Sequence, residues 1–150
     1  MERRIIVTYQ DRGHYSKKHP AHRKVDEKIA SAVKEHTSEG EISCASAFRV
    51  VKNLEVEPSE VGFTIDVLEI TIVKCQLGLY GYRPQKKIVK PAETVSSDLE
   101  EAIRNALVNG RLPCSASWEI AERFGLAKMA VSSACEALEI KVTPCQLGAF

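Results

Sequence analysis

Apolar residues at positions 25, 29, 30, 32 and 33 recur at helical spacing, so Val25 to His36 predicts a helix with one buried face. Gly40 ends the following connection, and Glu41-Ile42 predicts a short strand. Ser43 is placed to cap a helix that runs to Leu54. Pro58 sits where the first turn of a helix tolerates proline, and that helix continues to about Leu68. Ile70 to Val73 then predicts a second strand. The second half repeats this order, with helix 96–108, strand 111–112, helices 114–124 and 128–138, and strand 140–143. Pro113 replaces Ser43 there, and Ser115 is expected to take over part of the capping. Upstream, Arg3 to Tyr9 is rich in β-branched residues and predicts a strand. Asp11 to Lys24 has no periodicity and reads as a loop or flexible arm.

The repetition extends to individual residues. Shifted by seventy positions, Gly40 to Tyr80 lies on Gly110 to Phe150 without a gap. Cys44, Val61, Leu68, Glu69 and Ile70 fall on Cys114, Val131, Leu138, Glu139 and Ile140, and both copies carry Cys-Gln-Leu-Gly, at 75–78 and 145–148. Phe48 meets Trp118, and Tyr80 meets Phe150. The register continues upstream, where Val25, Ile29, Ala32 and Val33 match Val95, Leu99, Ala102 and Ile103. The chain therefore divides into an N-terminal strand and basic arm (1–24), a first repeat (25–80), a basic linker or wing (81–94) and a second repeat (95–150). Each repeat has about 55 residues, near the lower limit for independent folding.

Within Ser117 to Cys135, Ala121 is small where two helices must cross, and Gly125 follows four residues later, where a chain leaving a helix needs positive φ. Leu126 and Val131 supply apolar anchors for a second helix. These offsets suit a helix-turn-helix, and an ordinary helical hairpin is the alternative. Helix, short strand, two such helices, then strand resembles the winged helix-turn-helix family of DNA-binding domains. The resemblance implies a mainly α fold with a small β component (α+β), built as two tandem winged-helix-like repeats. It also implies that the third helix of each repeat enters the major groove, through Lys128, Met129, Ser132, Ser133 and Glu136 in the second repeat. In the first, the same face carries Ser59, Glu60, Phe63 and Asp66. Its acidity is unfavourable next to phosphates, and Glu55 stands where Gly125 does. The family's wing would be a hairpin after Ile70–Lys74, with Lys86 to Lys90 returning as its second strand and Arg83, Lys86, Lys87 and Lys90 along it. The second repeat has no room for a returning strand.

Charge adds a partner class. The net charge of +1 is unevenly spread: residues 1–24 carry seven Lys/Arg against two acidic residues, and the linker four against one. The first repeat has five against ten, and the second five against seven. Basic arms beside acidic units suit a phosphate backbone, and solvated tails look the same. No apolar run approaches the length of a membrane span, and the start of the chain lacks the apolar core of a signal peptide, so a cytoplasmic location is expected.

Cys44 and Cys75 recur as Cys114 and Cys145, each pair thirty-one residues apart. If the flanking strands pair, the thiols of each pair are neighbours. A helix N-terminus lowers a thiol pKa, which favours redox or metal chemistry. Packing is the structural alternative, and no C-x-x-C knuckle supports zinc. Cys135 matches Ile65 and reads as a core filler. His14, His19 and His22 lack a cysteine or carboxylate cluster, so a solvated basic loop is the better reading than a metal site. Gln76 and Gln146 are repeated polar residues whose bland role is to bind loop backbone. With no glycine-rich phosphate loop, nucleophile elbow or His–carboxylate spacing, catalysis is not expected, and no cofactor or metal is. Three functions remain. The first is a DNA-binding transcriptional regulator acting on double-stranded DNA. The second is a protein-interaction module or homodimer on degenerate winged helices. The third is a thiol-based sensor coupled to DNA binding.

Overall fold

The computed structural model describes residues 15–20 and 23–150. The expected strand Arg3–Tyr9, with His14 and His22, lies outside the described residues. The protein is mainly α-helical with a small two-stranded parallel sheet, an α+β chain. Its α-helices among the described residues are α1 (Glu27–Glu35), α2 (Cys44–Leu54), α3 (Pro58–Val67), α4 (Ser97–Asn105), α5 (Cys114–Phe124) and α6 (Lys128–Ala137). The bounds of α4, α5 and α6 fall seventy residues after those of α1, α2 and α3. No helix among the described residues is long and apolar enough to cross a membrane.

The chain forms two compact units that are cut differently from the sequence repeats. Unit 1 takes the chain up to Lys74 together with Gln146–Phe150, and unit 2 is Cys75–Cys145. Each repeat therefore surrenders its Gln-Leu-Gly segment to the unit that holds the other repeat's helices.

In unit 1, β1 (Glu41–Ser43) pairs in parallel with β2 (Thr71–Val73), Ile42 opposite Ile72. Those two side chains are the buried ones, as alternation along a strand requires. Asp26 caps α1 by accepting from the Lys28 and Ile29 amides, and Ser43 caps α2 by accepting from the Ser46 amide at 3.1 Å. Glu55 ends α2 at φ 51°, the left-handed conformation that Gly125 supplies at φ 64° after α5. The turn is thus preserved without the glycine, at the cost of a strained Cβ. Helix α3 is unusual for a surface element, since Val61, Gly62, Phe63, Thr64, Ile65 and Asp66 are all buried. A helix buried on every side is internal.

Unit 2 reproduces the helices but not the sheet. The expected strands 111–112 and 140–143 reduce to one parallel bridge between Leu112 and Val142. Pro113 stands where Ser43 pairs with Val73 in unit 1, and the Cys114 amide that follows it donates to the Pro144 carbonyl, out of the register that would extend the ladder. Nor does Ser115 cap α5, which has no side-chain cap. The expected wing is likewise absent: residues 86–90 form no strand. Instead, the amides of Ile88 and Val89 both donate to the Gly78 carbonyl, at 2.8 and 3.2 Å, and Val89 is buried.

The exchanged segments meet the third helices at positions seventy residues apart. In unit 2 the buried Ser132 hydroxyl donates to the Leu77 carbonyl at 2.6 Å. In unit 1 the counterpart of Ser132 is Gly62, and a Cβ built there would lie 2.1 Å from the Leu147 carbonyl oxygen. The chain approaches α3 so closely that only glycine fits. Replacing a helical glycine by alanine ordinarily stabilises by about 0.5–1 kcal/mol. Here the sign is expected to reverse, because backbone must move: Gly62→Ala should destabilise by about 1–3 kcal/mol in denaturant unfolding.

Candidate functional site

The faces of α3 and α6 that the winged-helix resemblance marks for base reading are the natural candidates, and in both units the chain itself lies across them. Over α3 the cover begins with a 3-10 turn at Tyr15–Lys18. Tyr15 is buried, its amide donating to Glu69 Oε2 at 2.8 Å and its hydroxyl lying 3.3 Å from Thr71 Oγ1. Lys18 Nζ then reaches Asp66 Oδ2 at 2.8 Å and the Gly148 carbonyl at 3.1 Å, with 5% of its side chain exposed. His19 Nε2 is 2.8 Å from the same Asp66 oxygen, and its ring stands edge-on to Phe63 at 4.8 Å. Arg23 stacks on Phe63, 3.8 Å from the ring centroid, and pairs with Glu60 at 2.9 Å. The acidic face of α3 thus has an internal purpose. Glu60 and Asp66 hold the basic arm in place.

These contacts differ in weight. Arg23–Glu60 is solvent-exposed, and such a pair is worth about 0–1 kcal/mol. Lys18 and Asp66 are buried together, where losing one partner strands the other's charge. Burial pushes the Asp66 carboxyl above the ordinary carboxylate range, and the hydrogen bonds and charges of Lys18 and His19 offset part of that rise.

Over α6 the cover is the linker. Lys87 Nζ lies 2.6 Å from Glu136 Oε1, the residue seventy positions after Asp66. The Ala92 amide donates to the Ser133 carbonyl at 2.9 Å, and Tyr82 donates to the Cys75 carbonyl at 2.7 Å. A Cβ built on Gly78 would lie 3.3 Å from the Met129 sulfur, so Met129 packs against the Gln-Leu-Gly segment.

Several expectations are corrected by this arrangement. Ser132 does not project towards a groove: it is fully buried and spends its hydroxyl on the Leu77 carbonyl, with Met129 carbonyl as a second acceptor. Lys128 lies over the Trp118 ring, 4.6 Å from its centroid. Ser133 is half-buried beneath Ala92. All four linker cations, Arg83, Lys86, Lys87 and Lys90, are exposed, and Lys87 pairs with Glu136.

All five cysteines are buried free thiols. The Cys114 amide donates to the Pro144 carbonyl at 3.0 Å, so Cys114 and Cys145 do come from adjoining backbone. Cys44 belongs to unit 1 and Cys75 to unit 2. There, burial pushes the Cys75 thiol up, and the charge of Cys145 adds to the rise. Cys135 is pushed up to about 11, by burial first and by Glu136 second. High thiol pKa values suppress the thiolate, which is the reactive form. Gln76 and Gln146 are half-buried; Gln146 is the first residue after the chain crosses into unit 1, and Gln76 the second after it crosses into unit 2.

Each unit has a groove along its first two helices. In unit 2 a groove of about 220 Å³ between α4 and α5 has Ala102, Ala106 and Ile120 in its lining, with Asn105, Glu119 and Arg123 beside them. In unit 1 a shallower groove of about 410 Å³ includes Ala32 and Leu54, flanked by Glu27, Lys28 and Glu35. Sequence reasoning missed the residues that matter most here: Lys18, Gly62 and Leu147. A signal for two of them was present. A basic arm precedes a helix with Glu60 and Asp66 on one face, and Gly62 stands against Ser132 in the repeat alignment. Comparisons with protein-family models, curated proteins and solved structures find no match to this chain.

The buried ion pair gives a prediction with a defined pH dependence. Asp66 titrates higher in the folded chain than at its ordinary 3.8, so folding takes up a proton between those two values, and lowering the pH through that window favours the folded state. Lys18→Met removes the principal cation and widens the window. It should cost about 3 kcal/mol near neutral pH, and the deficit should shrink as the pH falls towards about 4. Urea unfolding across that range reads the effect. A deficit that is constant or grows with acid contradicts this account of Lys18.

Proposed function

We propose that this chain is a non-enzymatic protein-interaction module built on degenerate helix-turn-helix units, rather than a base-reading regulator. One observation supports the reading above others: the face of each third helix that would meet DNA is filled by the chain's own arm, linker and exchanged Gln-Leu-Gly segment. A base-reading helix must offer side chains to the major groove. On α6, Ser132 is buried and Lys128 is engaged with Trp118, while on α3 six consecutive residues are buried. Surface is also offered by the grooved α1–α2 and α4–α5 faces, where Glu27, Glu35 and Glu119 stand beside Lys28 and Arg123, a mixed lining that suits protein contact better than phosphate.

A DNA-binding regulator is the second reading, and it keeps one support, the exposed Arg83, Lys86 and Lys90 in the linker. Cations without a reading helix give phosphate contact and no sequence preference.

Fluorescence anisotropy with duplex DNA separates the two. Under the interaction reading, any binding at low salt is indifferent to sequence, has a salt slope of no more than about three, and disappears near physiological salt. Lys86→Ala should lower that slope by about one, and Ser133→Ala should leave sequence preference unchanged. Sequence-selective binding that persists at physiological salt would overturn the interaction reading.

A further inference from the structure

We propose that the α4–α5 face of unit 2 is a self-complementary docking surface, against which a second copy of this chain seats the same face across a two-fold axis. The inference names one partner for the interaction-module reading and rests on it.

The face carries an apolar recess and, next to it, an apolar side chain that does not fill it. The groove of about 220 Å³ between α4 and α5 has the buried Ile120 in its lining, with the half-buried Ala102, Ala106 and Ala116. Two residues after Ala106, Val108 is 58% exposed, against 40% for Ile88 and 38% for Leu126, the other exposed large hydrophobics among the described residues. Removing such a side chain from water is favourable, and the recess of its own chain leaves it in water. A two-fold brings Val108 of each copy to the recess of the other.

The fold itself does not call for apolar residues here. Ala106, Val108 and Ala116 stand where the first repeat has His36, Ser38 and Ser46. The local backbone is the same in both: the helix bounds are seventy residues apart, and Ser38–Glu41 and Val108–Arg111 form the same antiparallel bridge. Three positions that accept polar residues in unit 1 are thus apolar in unit 2, on one face, beside one groove.

Charge selects the partner. Glu119 and Arg123 lie one turn apart on α5, both exposed and both in the lining of the groove. Glu100 and Arg104, at the same spacing on α4, pair at 2.8 Å. Glu119 and Arg123 form no ion pair with each other or with any other described residue; Arg123 lies 5.5 Å over the ring of its neighbour Phe124. A recess flanked by one anion and one cation is complementary to its own image, because a two-fold sets Glu119 of each copy against Arg123 of the other. An isologous interface has this property by construction: residue i meets j, and j meets i.

Sedimentation velocity over a concentration series tests this on the full chain, and the wild type is expected to dimerise reversibly. Glu119→Arg and Arg123→Glu each turn two attractions into two repulsions and should weaken association about tenfold. The double reversal should restore it. An equimolar mixture of the two single variants should give a heterodimer tighter than either homodimer, since every facing pair is then of opposite sign. Val108→Ser, which installs the first-repeat residue, should weaken association at least about tenfold. Lys28→Glu, in the groove of unit 1, should change nothing. Circular dichroism checks that each variant keeps its helices. A chain that stays monomeric across the series, or a dimer indifferent to the reversals at Glu119 and Arg123, would overturn the proposal. So would single variants whose mixture is no tighter than either alone. Binding of a different protein to the same face of a monomeric chain would also end this proposal while keeping the interaction reading. Duplex DNA plays no part in these readouts, so the two readings fail separately.

Discussion

A main-chain carbonyl backed onto a third helix is the contact on which this structure depends. Leu147 meets Gly62 in unit 1, and Leu77 meets Ser132 in unit 2. A carbonyl can lie that close to a helix only where the helix presents glycine or a hydroxyl donor. Everything laid over the helix follows from the approach: the tail brings Gly148 to Lys18, and the linker returns over Met129 through Gly78. The consequence is functional as well as structural. Helix α3 and the buried side of α6 are core, and Asp66, Ser132 and Glu136 are each satisfied within their own unit.

Charge distribution makes sense in the same frame. An acidic helix face is costly beside phosphate, and equally costly when buried without a counter-charge. Asp66 is buried and has Lys18 and His19 against it, while Glu136 has Lys87. In each unit the basic segment ahead of the first helix supplies a lysine to the carboxylate near the end of the third. Lys18 and Arg23 of the basic arm, and Lys87 of the linker, are thus engaged in intramolecular pairs.

Much of the fold was legible because it rests on local rules. Ser43 capping, Pro58 at a helix start and the Gly125 turn each determine a boundary within a few residues, and the gapless repeat carries those boundaries to the other half. The second repeat's sheet was overread because the ladder stops after one bridge, where the Cys114 amide turns to the Pro144 carbonyl, a change of register that the β-branched residues of 140–143 do not reveal. The wing was overread for a different reason. Lys86 to Lys90 looks like a returning strand, yet Val89 is drawn into the core beside Gly78. The covered site was illegible for a topological reason: Gly62 and Leu147 are eighty-five residues apart, and nothing local marks a segment as belonging to the other repeat's helices. Only the pairing of Gly62 with Ser132 hinted that something approaches there.

Hydrogen exchange tests the central claim, that the third helix is held as core by chain from the other repeat, most directly. The amides of α3 should exchange only through openings near the global unfolding free energy in the full chain. In a chain ending at Cys145, protection should fall across 58–67 and the overlying 15–20, while 128–137 stays as it was. Unchanged protection of 58–67 after the truncation, or a loss confined to 128–137, would contradict the account.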